Sequence, residues 1–312
     1  MSDDQQTEER DLKGYAGVVA RGFCMGVADV VPGVSGGTMA FILGIYEELI
    51  EAIHAVDVTF VKRLFSFRFK EAFEGFPYKF LIAIGAGVGL AVFSLARFLS
   101  WALTNHPVLV WAFFFGLVLA SVLAVQKRLE WSALSVLFTA LASVGAYILV
   151  GLAPVETTEA IGFLFLSGAI AICAMILPGI SGSFILLLLG KYQFILTAVV
   201  TRDLVTLFIF SCGCGFGLLS FSRLLRWLLH HYHNITVAAL IGLMIGSLRK
   251  VWPWKETVET YIDRHGIAKP LVQNNTLPET MNPEVGFAIA LTIVGFVLVL
   301  VLDKMDTGRD EV

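Results

Sequence analysis

Long stretches in which charge all but vanishes constrain this chain more than any other feature. They run from Phe80 to Leu103, Val108 to Val125, Trp131 to Leu152, Leu204 to Leu229, Ile235 to Leu248 and Val285 to Leu302. Wound as helices rising ~1.5 Å per residue, such stretches approach or reach the ~30 Å of hydrocarbon in a bilayer. They are continuously apolar and rich in Leu, Phe, Ala and Gly, which excludes the period-two alternation of a membrane barrel. The chain is 57% hydrophobic and 15% charged, with a mean hydropathy of +0.81. A soluble domain is roughly half apolar and a quarter charged. The expected fold class is an all-α polytopic membrane protein.

Two further apolar stretches, residues 16–55 and 160–200, are each interrupted near the middle by Pro-Gly followed by Ser-Gly: Pro32-Gly33-Val34-Ser35-Gly36 and Pro178-Gly179-Ile180-Ser181-Gly182. Backbone broken at membrane depth is tolerated only where it is buried in protein or lines a watery cavity. Both stretches are therefore read as re-entrant helical hairpins, the alternative being two ordinary spans joined by a tight turn. Either way each begins and ends on one side.

Residues 1–13 are polar and acidic with no apolar core of a secretory signal, and are expected to form a cytoplasmic tail. The segment from Asp57 to Lys79 carries Lys62, Arg63, Arg68, Lys70 and Lys79, which the positive-inside rule places in the cytoplasm. Counting onward puts Lys127 and Arg128 inside, the Lys- and Arg-free 154–159 outside, 226–233 inside, the proline-rich loop 251–284 outside and the tail 303–312 inside. Both termini are then cytoplasmic in a multi-pass protein of the cell inner membrane. Arg249 and Lys250, on the outer side, dissent from the rule.

The interruptions are copies of each other. Pro178 follows Pro32 by 146 residues, and the same offset lays Leu43-Gly44-Ile45-Tyr46 on Leu189-Gly190-Lys191-Tyr192. At an offset of 126, Arg97 and Trp101 fall on Arg223 and Trp227, and Gly116-Leu117 on Gly242-Leu243. Each half, 14–152 and 160–302, thus reads as one hairpin followed by three spans (80–103, 108–125, 131–152; 204–229, 235–248, 285–302). An odd number of spans makes the second hairpin open to the opposite side, an inverted-topology repeat suited to alternating access.

Candidate site residues follow from this arrangement. In the motifs, glycines permit close backbone approach, serine caps a helix or donates to a ligand, and helix amino termini attract anions. Ser35, Gly36, Gly37, Thr38, Ser181, Gly182 and Ser183 are the candidate anion contacts, against the plainer reading of helix-breaking turns packed through small residues. Arg21, Arg97 and Arg223 lie in apolar segments, where arginine is costly and tends to be functional unless it snorkels, and guanidinium suits a phosphate. Asp29 and Glu47 have no acidic counterparts in the second half and are candidates for proton coupling or an ion pair; Glu48 and Lys191 are undecided. His230, His231 and His233 read as a polar helix cap rather than a metal site, and Cys24, Cys173, Cys212 and Cys214 as small buried side chains. No cofactor, metal or nucleic-acid partner is expected. Nucleophile constellations of a membrane phosphatase or transferase are not apparent, so an enzyme is not expected.

Val31 to Thr38 with Gly44-Ile45-Tyr46-Glu47 behind it, and Leu177 to Ser183 with Gly190-Lys191-Tyr192 behind it, resemble the paired signatures of the polyprenyl-phosphate transporter family of bacteria and archaea. The resemblance spans about Gly14 to Leu302. It implies a flippase that returns undecaprenyl phosphate, the lipid carrier of cell-wall and surface polysaccharide synthesis, from the outer to the inner leaflet. The alternative is a secondary transporter or channel for a small inorganic or organic anion. Tail specificity, the coupling ion (proton or sodium), the direction of transport and the oligomeric state are not written in any residue.

Overall fold

The computed structural model describes residues 10–30, 35–127, 129–155, 157–158, 160–262, 268–278 and 280–307. Pro32, Gly33 and Val34 of the first motif, Arg128 and the outer parts of both tails lie outside the described residues. The first interrupted stretch forms α1 (Leu12–Val30), α2 (Gly36–Ile42) and α3 (Tyr46–His54), and the basic segment forms α4 (Val58–Phe65) and α5 (Phe69–Phe73). Three long helices follow: α6 (Tyr78–Asn105), α7 (Pro107–Gln126) and α8 (Ala133–Leu149). The second half repeats the order as α9 (Ile161–Ile176), α10 (Gly182–Leu188), α11 (Tyr192–Thr201), α12 (Leu204–His231) and α13 (His233–Val251). A ribbon of β1 (Lys255–Ile262) and β2 (Ala268–Asn275) then precedes α14 (Pro283–Thr307).

The chain is a multi-pass helical membrane protein. By length and composition α6, α7, α12, α13 and α14 can each cross a bilayer, which is five spans where six full ones were expected. The short one is α8. Ser132 caps it by accepting the Ser135 N–H at 3.1 Å, so it starts late, and it stops at Leu149 after 17 residues, about 26 Å. A second departure lies in the hairpins, whose return arms are themselves broken. Gly44 and Gly190 end α2 and α10 in the left-handed region, with φ of 68° and 64°, and α10 and α11 meet at 104°. A seven-residue helix rises only about 10 Å, a third of the hydrocarbon thickness. The third departure is the antiparallel β1–β2 ribbon within the segment read as the 251–284 loop.

The halves match in detail. α6 and α12 have 28 residues each, and α2 and α10 have seven. A single non-helical residue separates α6 from α7 and α12 from α13: His106 at φ −136°, ψ 52° and Tyr232 at φ −136°, ψ 45°. Their N–H groups donate to Ala102 and Leu228 carbonyls, both at 2.7 Å.

Helices pack through glycine with almost no gap. Gly22 backs onto Ile84 and Gly26 onto Val88 and Ala91, so α1 and α6 run side by side in the same direction; Gly213 on Phe165 and Gly217 on Ala169 do the same for α12 and α9. Other glycine contacts cross between halves. Gly116 of α7 meets Thr292 of α14, while Gly242 and Gly246 of α13 meet Thr139 and Ser143 of α8. A threonine reaches across each seam: Thr139 donates to the Ala238 carbonyl at 3.0 Å, and the Thr292 hydroxyl is shared between the Ala112 carbonyl at 3.1 Å and the Ala288 carbonyl of its own helix at 2.9 Å. Small residues at such seams let backbones approach where lipid offers no hydrophobic drive for association.

Candidate functional site

The two motif loops meet and are bonded to each other. α9 ends at Ile176, leaving carbonyls of its last turn without helical donors. Hairpin one supplies donors for them: the Ser35 hydroxyl donates to the Met175 carbonyl at 3.1 Å, and the Tyr46 hydroxyl to that of Ile176 at 3.2 Å. In return the Gly179 N–H donates to Thr38 Oγ1 at 2.8 Å. Ser35, Thr38 and Tyr46 are all buried. A Cβ on Gly37 would fall 2.6 Å from the Ile176 carbonyl, so this approach requires glycine. Gly179 is at φ 88° with its α-carbon turned to Ser247 and Leu243 of α13, a position that also excludes a side chain. Tyr46 is a site residue that the sequence reading passed over; its signal was the alignment of Tyr46 with Tyr192.

The loops differ in how they cap the helices that follow. At α2 the Asp29 carboxylate accepts the Gly36 N–H at 2.7 Å and Ser35 Oγ accepts the Gly37 N–H at 3.1 Å. At α10 Ser181 makes no side-chain cap; its hydroxyl bonds that of Ser183 at 2.8 Å. Met175 stands where the repeat would place an acid equivalent to Asp29.

The arginines are not gathered on the loops. Arg21 is half-buried on α1 next to the Gly22 contact. Arg97 is exposed on α6 and has no hydrogen-bond or ion-pair partner among the described residues. Arg223 is half-buried on α12, where it donates to the Leu219 carbonyl of its own helix at 3.1 Å.

Glu47 is exposed, with its carboxylate 3.1 Å from His233 Nε2. Its neighbours are similarly engaged, Glu48 with Arg10 at 2.6 Å and Glu51 with Arg226 at 2.7 Å. The three carboxylates of α3 thus tie together the start of α1, the end of α12 and the start of α13. His231 stacks on Trp227 at 5.2 Å and meets the Trp227 carbonyl at 2.9 Å. Lys191 is only 2% exposed; it donates to the Thr157 carbonyl at 3.0 Å and lies between the rings of Phe163 and Phe194. Outside the spans, the Asp57 carboxylate is held below its usual range by the Phe60 N–H that it caps, and Asp203 by the Thr206 hydroxyl and N–H.

Two halves of matching element order, with Ser35 and Thr38 of one bonded to the second motif region of the other among helices long enough to span a bilayer, define a multi-pass membrane protein of the transport class. The chain belongs to the family described as undecaprenyl phosphate translocase-like, which residues 25–269 match. It is 43% identical over 297 residues to a polyprenyl-phosphate transporter of Vibrio cholerae, covering 93% of this chain and 96% of that one. It is also 33% identical over 258 residues to a polyprenyl-phosphate transporter of Staphylococcus aureus, covering 75% and 85% respectively. No solved structure matches the chain.

Proposed function

We propose that this protein is a flippase for undecaprenyl phosphate or a similar polyprenyl phosphate, returning the lipid carrier across the cytoplasmic membrane. The observation that carries the reading is the mutual bonding of the two hairpin tips in a chain with full-length similarity to polyprenyl-phosphate transporters. A phosphate crossing the midplane needs donors there, and broken helices bring them without exposing backbone to lipid.

An inverted repeat underlies the transport cycle in this reading. Glu51 of α3 grips Arg226 near the end of α12, while Arg10, bound to Glu48 of the same helix, lies over the ring of Phe80 near the start of α6. The start of α6 and the end of its equivalent, α12, therefore share one end of the molecule, so the two run in opposite directions. That end also carries the basic α4–α5 segment and is the cytoplasmic one, which puts both termini inside.

Phosphate contacts come from Ser181, Gly182, Ser183 and Arg223 in the second half, and from Arg21, Ser35, Gly36, Gly37, Thr38 and Arg97 in the first. To reach the Gly36 N–H a phosphate must displace the Asp29 carboxylate, which makes Asp29 the competing anion and the candidate for ion coupling. Glu47 serves as a surface ion-pair partner.

The test is binding of polyprenyl phosphates of graded tail length to the purified protein and to Arg97→Ala and Arg223→Ala. Affinity should rise with tail length and fall in both variants. Unchanged phosphate recognition in both removes the arginine assignment, and phosphate or sulfate uptake with no lipid binding replaces the flippase by a small-anion transporter.

A further inference from the structure

The two ends of the molecule differ in how their cations are matched. At the α3 end Arg10, Arg226 and His233 each face a glutamate. At the opposite end the last turn of α13 presents Arg249 and Lys250, and β1 opens on Lys255; none of the three has a carboxylate partner among the described residues. Aromatic rings hold them instead. The Arg249 guanidinium lies 4.5 Å from the centre of the Tyr147 ring, the Lys250 ammonium 4.6 Å from that of Phe184, and the Lys255 ammonium 3.8 Å from that of Trp111. All three side chains are half-buried and line one cleft beneath the ribbon.

Helix capping accounts for little of this. The Arg249 carbonyl already accepts from Asn275 Nδ2 at 2.9 Å and the Lys250 carbonyl from Lys255 Nζ at 2.6 Å. Most donors remain unspent: Arg249 uses one of five on the Tyr147 carbonyl, and Lys255 one of three. Three like charges crowded in a half-buried cleft repel one another, and a ring quadrupole steadies a cation without neutralising it. A tetrahedral dianion offsets two of the three charges and takes up free donors. The cleft also adjoins the second motif, since Phe184 follows Ser183 directly and Gly179 packs on Ser247, three residues before Lys250. In the first half Leu123 and Ala124 stand at the places of Arg249 and Lys250, so this pair is not repeated there.

We infer that Arg249, Lys250 and Lys255 form a capture site for a phosphate monoester at the ribbon end, distinct from the hairpin tips and loading them from that side. The inference rests on the transport reading for the source of the ligand, a lipid headgroup; free phosphate shares the chemistry.

The full-length protein in nanodiscs is treated with an amine-acylating reagent and labelling of Lys250 and Lys255 is followed by peptide mass mapping, with Lys62 as the internal control. Polyprenyl phosphate and a short-chain phosphate monoester should each slow labelling of both lysines several-fold and leave Lys62 unchanged. The Lys250→Gln/Lys255→Gln double variant should bind the short monoester at least about tenfold more weakly, and Lys250→Arg/Lys255→Arg should retain binding. Labelling unaffected by any phosphate overturns the site. Protection by inorganic phosphate and not by the lipid overturns its role in capturing the headgroup. Protection by the short monoester in a protein that binds no polyprenyl phosphate leaves the site standing and removes the transport reading instead.

Discussion

The Thr38 hydroxyl of the first half accepts the buried Gly179 N–H of the second across 2.8 Å, so the start of α2 and the second motif are bonded directly to each other. Thr38→Val keeps the shape and removes the acceptor, leaving a buried N–H unpaired. It should cost about 1–3 kcal/mol. Thr38→Ser should recover most of that. Reversible unfolding in mixed micelles measures the difference; equal stability of Thr38→Val and the parent chain would show that the bond does not hold the tips together.

The paired seams should be energetically alike. Thr292→Val and Thr139→Val each delete one hydroxyl-to-carbonyl bond between helices of different halves. Each should cost about 0.6 kcal/mol and at most about 1.7, the range for such bonds in membrane bundles. The same unfolding assay decides it, and a large loss at one threonine with none at the other contradicts the correspondence of α8 with α14.

Much of this architecture was legible in the chain, and the exceptions have physical causes. Gly116 and Gly242 matched at the offset of 126, but their contacts to Thr292 and Thr139 lie across the halves, and no local pattern encodes a partner so far along the chain. The second break of each hairpin was visible as Leu43-Gly44 and Leu189-Gly190, which marked the repeat without revealing that their left-handed glycines end a helix. The cap that Asp29 places on Gly36 comes from seven residues away, beyond the reach of helix-start spacing rules. Pro270 pairs with Thr260 in a two-stranded ribbon, where every strand is an edge and tolerates proline. Ser35 and Thr38 were recognised as special residues, but their partners are the carbonyl and N–H groups of the other loop.

Asp29 and Glu47 should separate cleanly under substitution. Glu47 and His233 are both largely exposed, and an exposed ion pair contributes under about 1 kcal/mol. Glu47→Gln should therefore leave stability and lipid transport in proteoliposomes near the parent level, whereas Asp29→Asn, at the tip itself, should lower transport severely in a folded protein. Loss of transport in Glu47→Gln with the fold intact would return Glu47 to a coupling role.

Lys255 makes stability rise with pH, opposite to a lysine whose pKa an ion pair has raised, and in a window far above that of a carboxylate. Burial beneath the ribbon, followed by the repulsion of Lys250, pushes its ammonium down to about 7. The groups facing it are the Trp111 ring from α7 and Lys250 from α13, with Arg249 lining the same cleft, and no carboxylate offsets them among the described residues. The unfolded chain keeps its proton up to the ordinary lysine value near 10.5, so between about 7 and 10.5 the unfolded state binds more protons than the folded one. Stability must rise with pH across that window. Below about 7 both states carry the charge and the dependence disappears. Lys255→Met removes the titration from both states: it should be more stable than the parent chain at pH 6, approach it near pH 10, and show a flatter profile between. Thermal unfolding of both proteins from pH 6 to 10 in one detergent gives the comparison, and parallel profiles would mean that Lys255 stays charged in the fold.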